Sequence, residues 1–183
     1  MPMCKILRVL GPGDDPLTDH KGILAKYGLS GNFPDKVVEE SKLCPEKVSD
    51  EDREGRDDLR DIFTLTIDPL DARDFDDALS IRELKEGDWE IGVHIADVSH
   101  YVKPDCALDS NALARGNSVY FPNRVIPMLP EQLSNGLCSL NPDVDRMVLT
   151  CEMRLDALGV VSEFIFYEAV IRSHARLTYE DAQ

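Results

Sequence analysis

Apolar positions along this chain alternate more often than they recur at helical spacing. In IFTLTID, Phe63, Leu65 and Ile67 alternate with Thr64, Thr66 and Asp68, the two-residue period of a half-buried strand. The same reading predicts strands over 78–82, 90–96 and 118–121, and two more in MVLTCEMRLDALGVVSEFIFYEAVI, joined at Ala157-Leu158-Gly159. KILRVL at 5–10 predicts a further short strand, ended by the turn-forming GPGDDP at 11–16. Helical spacing is limited to HKGILAKYGL, with Ile23, Leu24 and Tyr27 on one face, to 107–115, and to a short helix in LPEQLSNGL at 129–137. Thr178 followed by Asp181 fits a helix N-cap and its first turn. Strand outweighs helix, so the expected fold class is α+β, a mixed or antiparallel sheet with flanking helices.

Between Asp19 and Asp61 the periodicity weakens, and Pro34, Pro45 and two acidic runs, EDREGRDDLRD among them, break the text into short helices and linkers. Three divisions are expected: 1–18 as the end strand of an upstream domain, 19–61 as a helical linker, and 62–183 as the sheet domain. With 20 Lys and Arg against 35 Asp and Glu, the net charge is -15. Nucleic acids are normally met by clustered cations, so the charge alone argues against them. Acids that hold divalent cations present a neutral or positive face, which removes the objection. The five cysteines, Cys4, Cys44, Cys106, Cys138 and Cys151, show no CxxC spacing and read as reduced thiols of a cytoplasmic protein. No stretch approaches the roughly 18 apolar residues of a membrane span, so no membrane partner is expected.

The densest chemistry lies in TIDPLDARDFDDAL, where Asp68, Asp71, Asp74, Asp76 and Asp77 fall within ten residues. Ile67, Phe75 and Leu79 anchor the segment in a core on both sides and Pro69 turns the chain between them. Carboxylates crowded against a core raise one another's pKa or recruit a cation. Several together prefer a hard ion, Mg²⁺ or Mn²⁺, and a pair of such ions suits phosphoryl chemistry. A strand end that projects Asp68, followed by a turn that returns Asp74, Asp76 and Asp77, would make them converge. The plainer alternative is a solvated acidic loop. A calcium loop begun at Asp74 fails, because Leu79 stands where glycine is needed and Lys85 where glutamate is needed.

TIDPLDARDFDDA, VHIADVSHYV at 93–102 and GNSVYFPNRVIPMLPEQLSNGLCSLNPDVDR at 116–146 together resemble the catalytic domain of the ribonuclease II and ribonuclease R family, and its ribonuclease R branch more closely. The resemblance runs from about residue 60 to 183. It implies a truncated catalytic domain of the ribonuclease II type, from a hydrolytic 3′→5′ exoribonuclease that acts on single-stranded RNA as a monomer and releases nucleoside 5′-monophosphates. It further implies that Asp68, Asp74, Asp76 and Asp77 hold Mg²⁺, with Mn²⁺ as an alternative, and that Tyr120 stacks on the terminal base. Asp71 is the extra acid and is not expected to be a ligand. The family's leaving-group arginine falls outside this chain, so the isolated chain is expected to hydrolyse RNA poorly or not at all. A non-catalytic RNA-binding relative is the alternative.

Other residues are less specific. His94 in an alternating strand reads as a satisfied core group more readily than as a ligand. Asp97 and His100 could pack around the metals. Arg73, Arg124 and Arg146 fit phosphate contacts or surface salt bridges equally well. Asn135 and Gly136 look like turn residues.

Overall fold

The computed structural model of the protein describes residues 3–122 and 124–183. The strands among the described residues are β1 (Asp57–Asp58), β2 (Thr64–Asp68), β3 (Asp77–Glu83), β4 (Trp89–Ala96), β5 (Val119–Phe121), β6 (Arg124–Ile126), β7 (Asp145–Leu155), β8 (Val161–Arg172) and β9 (Ala175–Thr178), of which β1, β6 and β9 were not expected from the alternation. Seven of them make one sheet in the order β1-β8-β7-β4-β3-β2-β9, and β5 and β6 make a separate hairpin. The outer pairs β1/β8 and β2/β9 are parallel and the inner ones antiparallel. The sheet is therefore mixed, in an α+β chain.

Helices α1 (Pro16–Tyr27), α2 (Asp35–Leu43), α3 (Val98–Tyr101) and α4 (Ala107–Arg115) flank it. Asp15 caps α1 with Pro16 in its first turn, and Gly28, in the left-handed region at φ 67°, ends it. The helix expected at 129–137 is a π-helical segment, Gln132–Leu137, interrupted at Gly136 by non-helical backbone. The N-cap expected at Thr178 is present as a reciprocal pair of bonds with Asp181, and it opens a turn.

Alternation located the strands, but the side of the sheet expected to be buried is the wrong one at β2. Thr64 and Thr66 are fully buried whereas Phe63 is 60 % exposed. Ladder register explains this. Thr64 and Thr66 share a face with Ala78, Ala96, Val148 and Ala169, whose small or branched side chains let Val37 of α2, Leu108 of α4, Leu133 and Leu137 pack close. Burial of a leucine such as Leu133 stabilises the fold by about 1.5–3 kcal/mol. The opposite face carries Leu79, Ile81, Ile95, Leu149, Phe164 and Phe166, all exposed.

One expectation for the N-terminal third fails. Residues 3–10 form no strand, and Ile6, Leu7 and Val9 lie exposed; an extended segment without a partner has no ladder to join. The acidic run is also more than a linker. Arg53 and Arg60 reach Asp145 at 3.1 Å each, and Arg56 reaches Asp97 at 2.6 Å, so cations scattered among the acids fasten the run to the sheet. Among the described residues, no helix is long and apolar enough to cross a membrane.

Candidate active site

Strand β2 ends at Asp68 and β3 begins at Asp77. The register that pairs Leu65 with Leu79, continued past its last pair, puts Asp68 level with Asp76. The intervening turn is held by backbone and side-chain bonds. Ala72 N–H donates to the carbonyl of Pro69 (3.1 Å), Leu140 N–H to that of Phe75 (2.8 Å), and Ala96 N–H to that of Asp76 (2.9 Å). The fully buried Ser139 hydroxyl donates to the Arg73 carbonyl (2.8 Å) and accepts from Phe75 N–H (3.1 Å). Asp74 is thereby fixed between two pinned neighbours, while Phe75 is driven into the core at 6 % exposure.

Tyr120 stands on the β5/β6 hairpin opposite Val125. Its ring is exposed and its hydroxyl donates to Asp74 Oδ2 at 2.5 Å. That hydrogen bond, followed by partial burial, pushes the phenol up to about 12. The hairpin is steadied from outside by an edge-on contact between Phe121 and His20 of α1, 4.6 Å between ring centroids.

Crowding is visible in the carboxyls. Asp76 is pushed up to about 6, first by loss of hydration and then by the charges of Asp74, Asp77 and Asp68. The residue as a whole still reaches solvent. Burial, with Asp77 and Asp74 adding to it, also raises Asp68. Oδ2 of Asp68 is buried and has no hydrogen-bond partner. Oxygen-only donors, mutual repulsion and an orphaned buried carboxylate oxygen together suit a hard divalent cation in kind. In position they stop short: among the described residues no three acidic, histidine or cysteine side chains are gathered closely enough to hold an ion. The fit requires the carboxylates to draw together around the charge they bind.

The structure thus brings Asp68, Asp74, Asp76, Asp77 and Tyr120 into one region, with Asp71 exposed on the turn. It removes other candidates. His94 is buried between Ser80 (3.0 Å) and Thr150 (2.9 Å), and burial lowers it to about 4; this is the satisfied core group expected. Gly92 leaves room for that chain, since a Cβ there would sit 2.4 Å from Ser80 Oγ. Asp97 and His100 do not pack around the aspartates. Asp97 pairs with Arg56, and His100 Nε2 lies 2.8 Å from Asp52, because the acidic run folds back over this corner.

Arg146 is equally unsuited to phosphate. It is 8 % exposed, and its Nε donates to the Ser139 carbonyl at 2.7 Å. Arg73 and Arg124 are exposed. The turn expected at Asn135 and Gly136 is the kink in the π-helical segment.

Two contributors were not legible in advance. Ser139 carries no motif, and only the fold reveals its grip on the turn. Arg176 on β9 donates Nη2 to the carbonyls of Pro69 (2.6 Å) and Leu70 (2.8 Å). An arginine in an alternating strand two residues before a cap gives no signal of its own.

Comparison with known proteins places these features in a wider set. A family model described as the RNB domain matches residues 56–183. Ribonuclease R of Escherichia coli is 54% identical over 175 residues, which is 96% of this chain and 22% of that protein. Ribonuclease R of Vibrio parahaemolyticus is 49% identical over 177 residues, 97% of this chain and 21% of that one. Among solved structures, Mycoplasma genitalium RNase R in complex with ribose methylated single-stranded RNA is similar with a TM-score of 0.90 at 36% identity, covering 96% of this chain and 27% of that one. The chain spans about a fifth to a quarter of the length of these relatives.

Proposed function

Since the chain belongs to the RNB-domain family, we propose that it carries the metal-binding part of a hydrolytic 3′→5′ exoribonuclease that shortens single-stranded RNA and releases nucleoside 5′-monophosphates. The observation that carries this reading is the turn at 68–77, where four carboxylates crowd until Asp76 is pushed to about 6 and a buried oxygen of Asp68 is left without a donor. Asp68, Asp74, Asp76 and Asp77 would hold Mg²⁺ or Mn²⁺. A divalent cation there supplies acidity to an attacking water and positive charge to the phosphate and the departing 3′ oxygen.

The chain's own residues do the rest. Without a cation, four carboxylates repel the RNA backbone, so the metal-free site disfavours the phosphate. The Ser139 bridge and the core position of Phe75 hold Asp74 in a set orientation, which spares its reorganisation when the phosphate arrives. Tyr120 has a free ring face beside the same carboxylates. Every base has a π face, so stacking there admits any sequence, at about 1–3 kcal/mol per base. The hydroxyl keeps the ring at a fixed distance from Asp74, and this couples the position of the 3′-terminal nucleotide to the metal ligands.

The test is a chimera in which this chain replaces the matching segment of the Escherichia coli ribonuclease R. On 5′-labelled single-stranded RNA with Mg²⁺, a ladder that shortens from the 3′ end and vanishes with Asp76→Asn supports the reading. A folded chimera that binds RNA without cutting it would move the weight to a non-catalytic RNA-binding role. The chain alone is expected to degrade the same RNA weakly or not at all.

A further inference from the structure

Three buried polar atoms without partners lie on one face at the β2/β9 edge: Thr66 Oγ1, Asp68 Oδ2 and Arg176 Nε. The parallel register pairs Thr66 with Arg176 and Asp68 with Thr178, so the hydroxyl and the guanidinium are neighbours across the ladder and the carboxylate is two residues further along the same side. Buried unpaired polar groups are costly singly, and here two donors and one carboxylate oxygen stand together on adjacent strands without closing on one another. The remaining contacts of Arg176 point to the same place. Its Nη2 forks to the successive carbonyls of Pro69 and Leu70, immediately after Asp68, and its guanidinium lies 5.4 Å from the centroid of the Phe75 ring, immediately before Asp76. One side chain therefore touches both ends of the turn that carries all four carboxylates.

We propose that Arg176, with Thr66 beside it across the ladder, is the positioning group of this metal site: it clamps the two ends of the turn and so sets where the Asp68 carboxylate stands, with its unpartnered oxygen left free for the cation. This rests on the metal reading above. Arginine is suited to the role because its planar fork can serve two carbonyls while its face lies against a ring. Lysine is a point donor on a flexible stem and cannot do both. Partners that orient ligands in this way typically change metal affinity about 10- to 100-fold when removed.

The experiment compares the full chain with its Arg176→Met, Arg176→Lys and Thr66→Val variants, by Mn²⁺ titration calorimetry and by amide hydrogen exchange of the 68–77 segment without metal. The expected result is roughly tenfold or greater weakening of Mn²⁺ binding in both Arg176 variants, faster exchange within 69–75, and a smaller loss in Thr66→Val with exchange unchanged. In the chimera, kcat should fall while KM for RNA stays near the parent value. Should Arg176→Met fail to fold by circular dichroism, Arg176→Lys and Thr66→Val carry the comparison. Variants that bind Mn²⁺ as tightly as a binding-competent parent overturn this inference and leave the metal reading intact. A parent chain that takes up no Mn²⁺ overturns both.

Discussion

Asp76 is the residue at which the chemistry of this chain is most concentrated. Its carboxyl, normally near 3.8, is pushed to about 6 by dehydration and by its three acidic neighbours. In the folded state it holds its proton more tightly than in the unfolded one, so between pH 4 and 6, roughly, the unfolded chain is deprotonated first and the metal-free fold loses stability. Asp76→Asn removes that loss. In EDTA the variant should melt with the parent near pH 4 and above it at pH 7, and Mg²⁺ at pH 7 should reverse the order by stabilising only the parent. Melting curves that stay superimposed across this range would deny the crowding. At Tyr120 two roles separate by substitution. Tyr120→Phe keeps the ring and loses the bond to Asp74, so RNA affinity should hold; Tyr120→Ala should weaken it by about 1–3 kcal/mol, as read by equilibrium binding.

At the scale of elements, the turn between β2 and β3 depends on residues far from it in sequence. Ser139→Ala would leave Phe75 N–H and the Arg73 carbonyl without their buried partner, and urea denaturation should show a loss of about 1–3 kcal/mol. Such dependence explains what the sequence made legible and what it did not. Alternation placed β3, β4, β7 and β8 because a strand half-buried on either side keeps the period of two. It could not say which side faces the helices, and at β2 apolar side chains fell on the exposed face while Thr64 and Thr66 went inside. The side chains that fill the core on that side of the sheet come from α2, α4 and the Gln132–Leu137 segment, distant from β2 in sequence. The aspartates and Tyr120 were legible because their spacing and surrounding words form a motif. Arg176, Ser139 and Arg56 were not, since each acts through a backbone carbonyl or a single charge that only tertiary contact supplies.

For the whole molecule, the net charge of -15 remains, and the cations that are present act by local pairing. Arg56 and Asp97 have side chains only 6% and 3% exposed. Burial pulls Asp97 up, yet the Ser99 hydroxyl, Arg56 and the His100 N–H outweigh it and hold the carboxyl below its ordinary range. Arg56→Met strands that charge in the interior, and the expected cost is about 3–5 kcal/mol in chemical denaturation; a loss under 1 kcal/mol would show the run 50–61 to be the plain linker its composition suggests. The same run thus joins the N-terminal third to the sheet that carries the carboxylates. Their ability to close around a cation is the claim on which the functional reading stands. Anomalous diffraction from crystals of the chain soaked in Mn²⁺ tests it most directly. Manganese is expected among Asp68, Asp74, Asp76 and Asp77, with carboxylate oxygens about 2.0–2.2 Å away, close to the spacing of Mg²⁺ sites. Manganese bound elsewhere, or none at the turn under saturating ion, would contradict it.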